Sequence, residues 1–370
     1  MKEINSLLSV LINNPRNLFI EKAIEEEMIP IIYTSSYVPY TFFSMERLFP
    51  VRTIPLFSIN TALADNYLSG NSCAYIRNIC EDLLRGKYDF SRGFICSTVC
   101  DQMVSFFKNF KHLFQSNFAE IIDIPRKINH VSAELFKKHI ENFKDSLGYY
   151  FGISFDPLPE YINAQNEYDA IVISILKLLK ESNPPLTGSE FHKFLSASLM
   201  SPNFLFFSVA NEFKTKIENR KGLSHYRARL GVIGECASSP YFTEDYESSG
   251  AIVVCRNDWP LSLDDTINEN IEPFEALSNF ILNKASFSMG TESVDSKAEK
   301  ILEKFSEYKV DGIIIERLKY CSLWGIKSAL LPEALKKRGI PTLTIERNYT
   351  YAEGGYIKNQ IDAFLESIDK

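Results

Sequence analysis

Residues 72–101 open with SCAYIRNIC at 72–80 and close with GFICSTVCD at 93–101, and their reading decides the fold. Four of the chain's seven cysteines, Cys73, Cys80, Cys96 and Cys100, lie inside this stretch. Ser72 is a good helix N-cap, Cys73 falls in the first turn, and Ile76, Ile79, Cys80, Leu83 and Leu84 form one apolar stripe that stops near Gly86. Residues 93–96 have the composition of a buried strand, and residues 97–101 form the loop that leaves it before a helix from Gln102 onward. Helix, strand and loop in this order predict an α/β protein, a class that carries its ligands beyond the carboxyl ends of parallel strands. A thiol in a first helical turn also meets the positive end of the helix dipole, which favours the thiolate. Cys73 and Cys100 are therefore placed for chemistry, whereas Cys80 faces the core.

The same alternation extends outward in both directions. Residues 28–33 read as a strand followed by a polar loop, 41–49 as helical in period, 50–55 as a second extended segment and 120–124 as a strand closed by Pro125. From Ser132 to about Lys221 the pattern turns helical, with Ile171, Ile175, Leu178 and Leu179 on one face. Pro184 and Pro185 break that run, and Thr187 and Glu190 have capping-box spacing for a new helix. In the last third, residues 230–234, 251–255, 310–315 and 341–345 are apolar strands separated by helical stretches, which predicts a second parallel sheet. Cys321 follows the third of these strands. The chain thus divides into an N-terminal α/β domain over 1–130, a helical domain over 131–226 and a C-terminal α/β domain over 227–370. The GVIG turn at 231–234 lacks the third glycine of a dinucleotide fingerprint, so a nicotinamide cofactor carries little weight.

Composition removes several function classes. The net charge of -7 and the lack of a Lys/Arg block argue against nucleic acid as a partner. No apolar run reaches the length of a membrane span, and the N-terminal MKEINSLLSVLINNPR, broken by Ser6 and Ser9, lacks the pattern of a signal peptide. A cytoplasmic protein is expected, in which an odd number of cysteines means free thiols or metal ligands before disulfides. Zinc is disfavoured because no C-x-x-C or Cys/His knuckle spacing is present. His112, His130, His139, His192 and His225 form no close pair and read as surface or satisfied core residues. Cys80, Cys96, Cys236 and Cys255 read as core-packing thiols, with Cys255 the likeliest of the four to serve as a ligand instead.

The segments YTSSYVPYTFF (33–43), FPVRTIPL (49–56), ADNYLSGNSCAYIRN (64–78), RGKYDF (85–90), GFICSTVCD (93–101), PPLTGSE (184–190), RLGVIGE (229–235), GAIVV (250–254), VDGIIIERLKYC (310–321), GIPTLTIER (339–347) and IDAFLE (361–366) occur in a fixed order. Together they resemble the 2-hydroxyacyl-CoA dehydratase and benzoyl-CoA reductase family, in its 2-hydroxyglutaryl-CoA dehydratase D-component form, over nearly the whole chain. The resemblance implies two Rossmann-like parallel-sheet domains with a helical segment between or beside them. It also implies three cysteines that hold a [4Fe-4S] cluster, matched here by Cys73 in C-x-Y-x-R, Cys100 in C-D and Cys321 after Tyr320. One thiol at a helix start and two beyond strand ends agree with that choice. Three protein ligands leave one iron open.

In such a family the chemistry is a one-electron reduction of a CoA thioester to a ketyl radical that expels the 2-hydroxyl group. The implied partners are a homologous second subunit and an ATP-hydrolysing iron–sulfur activator protein; the implied setting is anaerobic. Rival readings are a homodimeric reductase with a double-cubane [8Fe-9S] cluster, and a non-catalytic electron-transfer or scaffold subunit. Substrate-side candidates are Ser35, Ser36, Tyr37 and Arg77, while Asp101 is expected to cap the helix after Cys100. The chain departs from the family in three places. Cys321-Ser322-Leu323 replaces Cys-Asp-Pro, Cys255-Arg256-Asn257-Asp258 stands where an Asp-Asp pair is usual, and Tyr40-Thr41 follows Pro39 where a glutamate is usual. The C-terminal residues 358–364 lack a Thr-Arg pair, which points to the smaller subunit type.

Overall fold

The computed structural model describes residues 2–114, 118–234, 239–260, 266–289, 292–349 and 354–368. Cys236 and the side chain of His112 lie outside the described residues. The first part of the chain runs α1 (Lys2–Ile12), α2 (Leu18–Glu25), β1 (Ile29–Tyr33), β2 (Leu48–Arg52), α3 (Ala74–Leu84), β3 (Gly93–Ser97), α4 (Asp101–Phe114) and β4 (Phe118–Ile122). Four helices follow: α5 (His130–Phe151), α6 (Leu158–Lys177), α7 (Gly188–Leu199) and α8 (Asn203–Glu218). The remainder runs β5 (Arg229–Ile233), α9 (Pro240–Glu247), β6 (Ile252–Arg256), α10 (Pro273–Met289), α11 (Val294–Ser306), β7 (Gly312–Leu318), α12 (Ser322–Lys336), β8 (Thr342–Arg347) and α13 (Gly354–Ile368).

The strands form two separate four-stranded sheets, ordered β2-β1-β3-β4 and β6-β5-β7-β8. Every pairing in both is parallel. Two Rossmann-like α/β sheets accompanied by a run of helices is the architecture the sequence predicts. Parallel strands covered on both faces must be apolar on both sides, which is why β1, β2, β3, β5 and β6 are apolar along most of their length, with polar residues only at strand ends. On the first sheet Ile32, Phe94 and Cys96 join the core shared with α3, α4 and the second sheet. Their alternating neighbours Ile31, Tyr33 and Ile95 face a second core closed by Phe136, Ile140 and Phe143 of α5 and Leu277 and Ile281 of α10. Residues 273–285, which follow β6 in the chain, therefore return to cover the first sheet. The larger core continues through α6, α7 and α8, so the two sheets are joined by packed side chains as well as by chain connections.

The helix expected over 41–49 does not form. Residues Phe42–Ser44 make one 3-10 turn and β2 starts at Leu48. Phe42, Phe43, Met45, Leu48 and Phe49 are all buried, so their spacing reflects burial from every side and carries no single helical stripe. The capping box is present: Thr187 Oγ1 accepts the Glu190 amide at 3.1 Å and Glu190 Oε2 accepts the Thr187 amide at 3.0 Å. It starts α7 against the second sheet so closely that a Cβ on Gly188 would stand 2.1 Å from the Val253 carbonyl oxygen. Among the described residues, no helix is long and apolar enough to cross a membrane.

Candidate functional site

A cavity of about 680 Å³ lies against the carboxyl ends of both sheets. Its walls come from the loops after β1, β3, β6 and β7, from α6 and α7, and from α10 and α11. Cys73, Cys100 and Cys321 all line it. Cys80, Cys96 and Cys255 do not; they are buried in the core between the sheets and helices. Burial raises those three thiols and keeps them protonated, Cys80 up to about 12 and Cys255 well beyond its ordinary range.

The three cavity cysteines occupy equivalent places in their segments. Cys73 is itself the N-cap of α3, so the helix starts one residue later than a cap at Ser72 predicts. Cys321 is the N-cap of α12. Cys100 immediately precedes α4, and its Sγ accepts the Met103 amide at 3.4 Å, as a capping side chain does. The cap therefore belongs to Cys100, and Asp101 is the first residue of the helix and exposed. Burial raises the Cys100 thiol, the Met103 amide pulls it down, and nearby Cys321 pushes it up. Cys100 and Cys321, from different sheets, line the same cavity.

One side chain ties these segments together. Gln102 Oε1 accepts the Cys73 amide at 2.5 Å, and its Nε2 donates to the Tyr320 carbonyl at 3.0 Å. The Ala74 amide donates to the Lys319 carbonyl at 3.1 Å. Tyr320 has left-handed backbone, φ 61°, which turns the chain from β7 into the Cys321 cap. Sequence reasoning missed Gln102, because a contact spanning 218 residues leaves no local signal. Among the described residues, no three Cys, His, Asp or Glu side chains converge as ligands of a single metal ion. Thiols are the donors that iron–sulfur clusters take, and among these three the Cys100 sulfur also accepts a backbone amide.

The substrate-side candidates separate. Ser35, Ser36 and Tyr37 line the cavity on the loop after β1, where Ser35 Oγ meets Ser97 Oγ at 2.5 Å and accepts the Tyr37 amide at 3.1 Å. Arg77 lies away from the cavity wall; it is bound to Asp65 at 2.6 Å and to Thr61 at 2.8 Å, pinning the loop before α3. His192, read as a surface or satisfied core residue, is buried in the cavity wall with Nδ1 2.8 Å from Thr243 Oγ1. Arg52, at the end of β2, is a further cavity residue that the sequence reading did not single out.

The divergent 255–258 segment has its own structural account. Arg256 is fully buried and pairs with Asp258 at 3.0 Å and Glu316 at 3.3 Å, while Tyr246 donates to Glu316 at 2.6 Å. The polar end of β6 is thus consumed by an internal ion cluster, and Asn257 is held by the Gly234 amide at 2.7 Å.

Two parallel α/β sheets sharing a cavity at their strand ends, with thiols from both at helix caps, define a two-lobed α/β protein built around a sulfur-rich cleft. The model of the 2-hydroxyglutaryl-CoA dehydratase D-component family matches residues 35–368, and the chain belongs to that family. It is 21% identical over 322 residues to a putative dehydratase subunit, YjiM, of Escherichia coli (strain K12), covering 79% of this chain and 81% of the relative. It is 18% identical over 315 residues to one of the subunits of benzoyl-CoA reductase from Thauera aromatica, covering 82% of this chain and 81% of the relative.

Proposed function

We propose that the chain is the iron–sulfur subunit of a 2-hydroxyacyl-CoA dehydratase-like enzyme, with Cys73, Cys100 and Cys321 as ligands of a [4Fe-4S] cluster. The observation that carries this reading is that Cys73, Cys100 and Cys321, each at the start of a helix and drawn from both sheets, line the same cavity. When bound, a cluster with three protein ligands supplies single electrons and leaves one iron open to an oxygen ligand. The chain's own residues do the rest. The Met103 amide orients the Cys100 sulfur, and Gln102 hydrogen-bonds the segments around both Cys73 and Cys321. Val99, Met103, Leu195 and Leu199 give the cavity apolar walls that exclude water from a thioester, and Ser36 and Tyr37 offer polar contacts. The reaction is radical elimination of water from the 2-hydroxyacyl thioester, a lyase activity.

The enzyme works in the cytoplasm as a pair of homologous subunits, of which this is the smaller type, and takes electrons from an ATP-hydrolysing iron–sulfur activator. The name of the Thauera relative favours reduction of an acyl thioester as a second reading on the same site. Iron and acid-labile sulfide, measured with an electron-paramagnetic-resonance spectrum on protein purified without oxygen, test the proposal. About four of each per chain is the expected outcome. About eight favours a double-cubane [8Fe-9S] reductase, and none after anaerobic reconstitution overturns the cluster.

A further inference from the structure

The loop that delivers Cys100 to the cavity is fastened by the segment after β4. The Thr98 amide donates to the Ile122 carbonyl at 2.9 Å, and Thr98 Oγ1 donates to Asp123 at 2.8 Å while accepting the Ile124 amide at 2.9 Å. Arg126 completes the fastening, since its Nη2 donates to the Val99 carbonyl at 2.9 Å. That carbonyl belongs to the peptide joining Val99 to Cys100, so by bond lengths alone the guanidinium nitrogen lies within about 7 Å of the Cys100 Cα. Arg126 is half-buried and does not line the cavity, so it is not placed to meet a ligand there. Among the described residues no carboxylate comes within 4.0 Å of its guanidinium. The charge of Arg77, four residues after Cys73, is by contrast taken up by Asp65 at 2.6 Å. Asp101, the negative group next to Cys100, is exposed and screened by solvent.

A carbonyl asks only for a donor, and an uncharged amide would serve it as well. What the arginine adds is a fixed positive charge behind the Cys100 loop, one that persists at every working pH. We propose that Arg126 sets the reduction potential of the cluster held by Cys73, Cys100 and Cys321, its charge favouring the electron-loaded state. The inference rests on the cluster reading given above. One-electron reduction adds a negative charge to a site already ringed by thiolates, and a cation nearby lowers the cost of that charge. At an effective dielectric of about 20 and a separation of about 10 Å, one unit charge changes such an equilibrium about tenfold. The Met103 amide on the Cys100 sulfur acts in the same sense, so two elements of the first lobe support the added electron at one ligand.

The test is a redox titration of the full chain after anaerobic reconstitution, with dithionite as reductant and mediator dyes, in which reduced cluster is counted by electron paramagnetic resonance. Arg126→Gln keeps a donor for the Val99 carbonyl and removes the charge, whereas Arg126→Lys keeps the charge. At the potential where half of the wild-type clusters are reduced, the ratio of reduced to oxidised cluster should be about tenfold lower in Arg126→Gln. In Arg126→Lys it should stay within about twofold of wild type. Iron per chain should be equal in all three. An unshifted potential in Arg126→Gln, or an equal shift in both variants, overturns the proposal and leaves Arg126 a strut of the Cys100 loop. Iron lost from Arg126→Gln overturns it as well, since a tuning charge is not needed for assembly. Arg126→Lys serves if the neutral variant does not fold: a shift of about tenfold there, with the charge kept, is the overturning result. Wild type that takes up no iron removes the cluster reading and this inference with it, an outcome seen before any variant is made.

Discussion

The two sheets have the same strand order, yet they treat the polar groups at their carboxyl ends in opposite ways. At the ends of β6 and β7, Arg256, Asp258, Glu316 and Tyr246 close into one ion and hydrogen-bond cluster. At the ends of β1, β2 and β3, Arg52 meets hydroxyls and no carboxylate, and Cys100 faces the cavity beside Cys321 from the other lobe. A cluster that satisfies itself inside the fold is scaffolding, because a ligand would have to break it to use it. Groups left incomplete at a cavity are where ligand chemistry is to be sought. The second lobe thus places Cys321, Asn257 and Asp258 at the cavity, and the first places Cys73, Cys100 and Arg52 there.

The sharpest way to break this comparison is at the thiols. Cys100→Ala should abolish iron binding after anaerobic reconstitution, whereas Cys255→Ala, in the buried core of the second sheet, should leave iron per chain unchanged. Equal loss in both would make the division between lobes wrong. Next in size is the ion cluster. Glu316→Ala leaves the Arg256 charge buried with Asp258 alone and removes the acceptor of Tyr246, so urea denaturation should show a loss of about 3 kcal/mol. Arg52→Gln, by contrast, removes a charge that no carboxylate balances and should be neutral or stabilising in the same assay. A comparable loss from Arg52→Gln would mean that Arg52 too is scaffolding.

The third prediction turns on Asp82, buried in α3 with Ser58 Oγ 2.5 Å from its Oδ1 and no partner for its Oδ2. Burial raises its pKa from 3.8 to about 6, against the opposing pull of the Ser58 hydrogen bond. The folded state therefore holds the proton more tightly than the unfolded one. This contribution to stability is complete below about pH 4 and is lost as pH rises through about 6. Asp82→Asn should stabilise the protein at pH 7 by about 2–3 kcal/mol relative to wild type, with the gain vanishing at pH 4. Denaturation at the two pH values checks the sign, and a larger gain at pH 4 would refute it.

Much of this arrangement is legible in the sequence because it is local. Strand runs such as 28–33 and 93–96 are apolar on both faces, and Thr187 and Glu190 cap α7 through neighbours three residues apart. The cysteine positions after strands follow from the same periodicity. What stayed hidden depends on distant partners. Arg77 looked available beside Cys73 until the loop carrying Asp65 and Thr61 folded onto it. His192 and Arg52 carry no motif, and only the meeting of α7 and the end of β2 with the rest of the cavity gives them a setting. The apolar residues over 41–49 misled for the converse reason, since burial on every side imitates a helical period.

The smallest expected effect concerns Gln102, a side chain that hydrogen-bonds segments of both lobes. Gln102 uses both ends of its amide, accepting from Cys73 and donating to Tyr320, so its contribution is positional and depends on an uncharged group with a donor and an acceptor. Gln102→Glu keeps the length and the acceptor and places a second acceptor against the Tyr320 carbonyl; Gln102→Leu removes both bonds. Each should cost about 1–2 kcal/mol of stability, a loss that by itself does not distinguish a spacer from ordinary core packing. The distinguishing measurement is cross-linking of the metal-free protein with a short bis-maleimide, which joins thiols only at suitable separation. Joining of Cys73 to Cys321 should fall in both variants while alkylation of each thiol alone proceeds as in wild type. If the cross-link yield is unchanged, the lobes are held in register by their shared core alone, and the amide is a consequence of that packing.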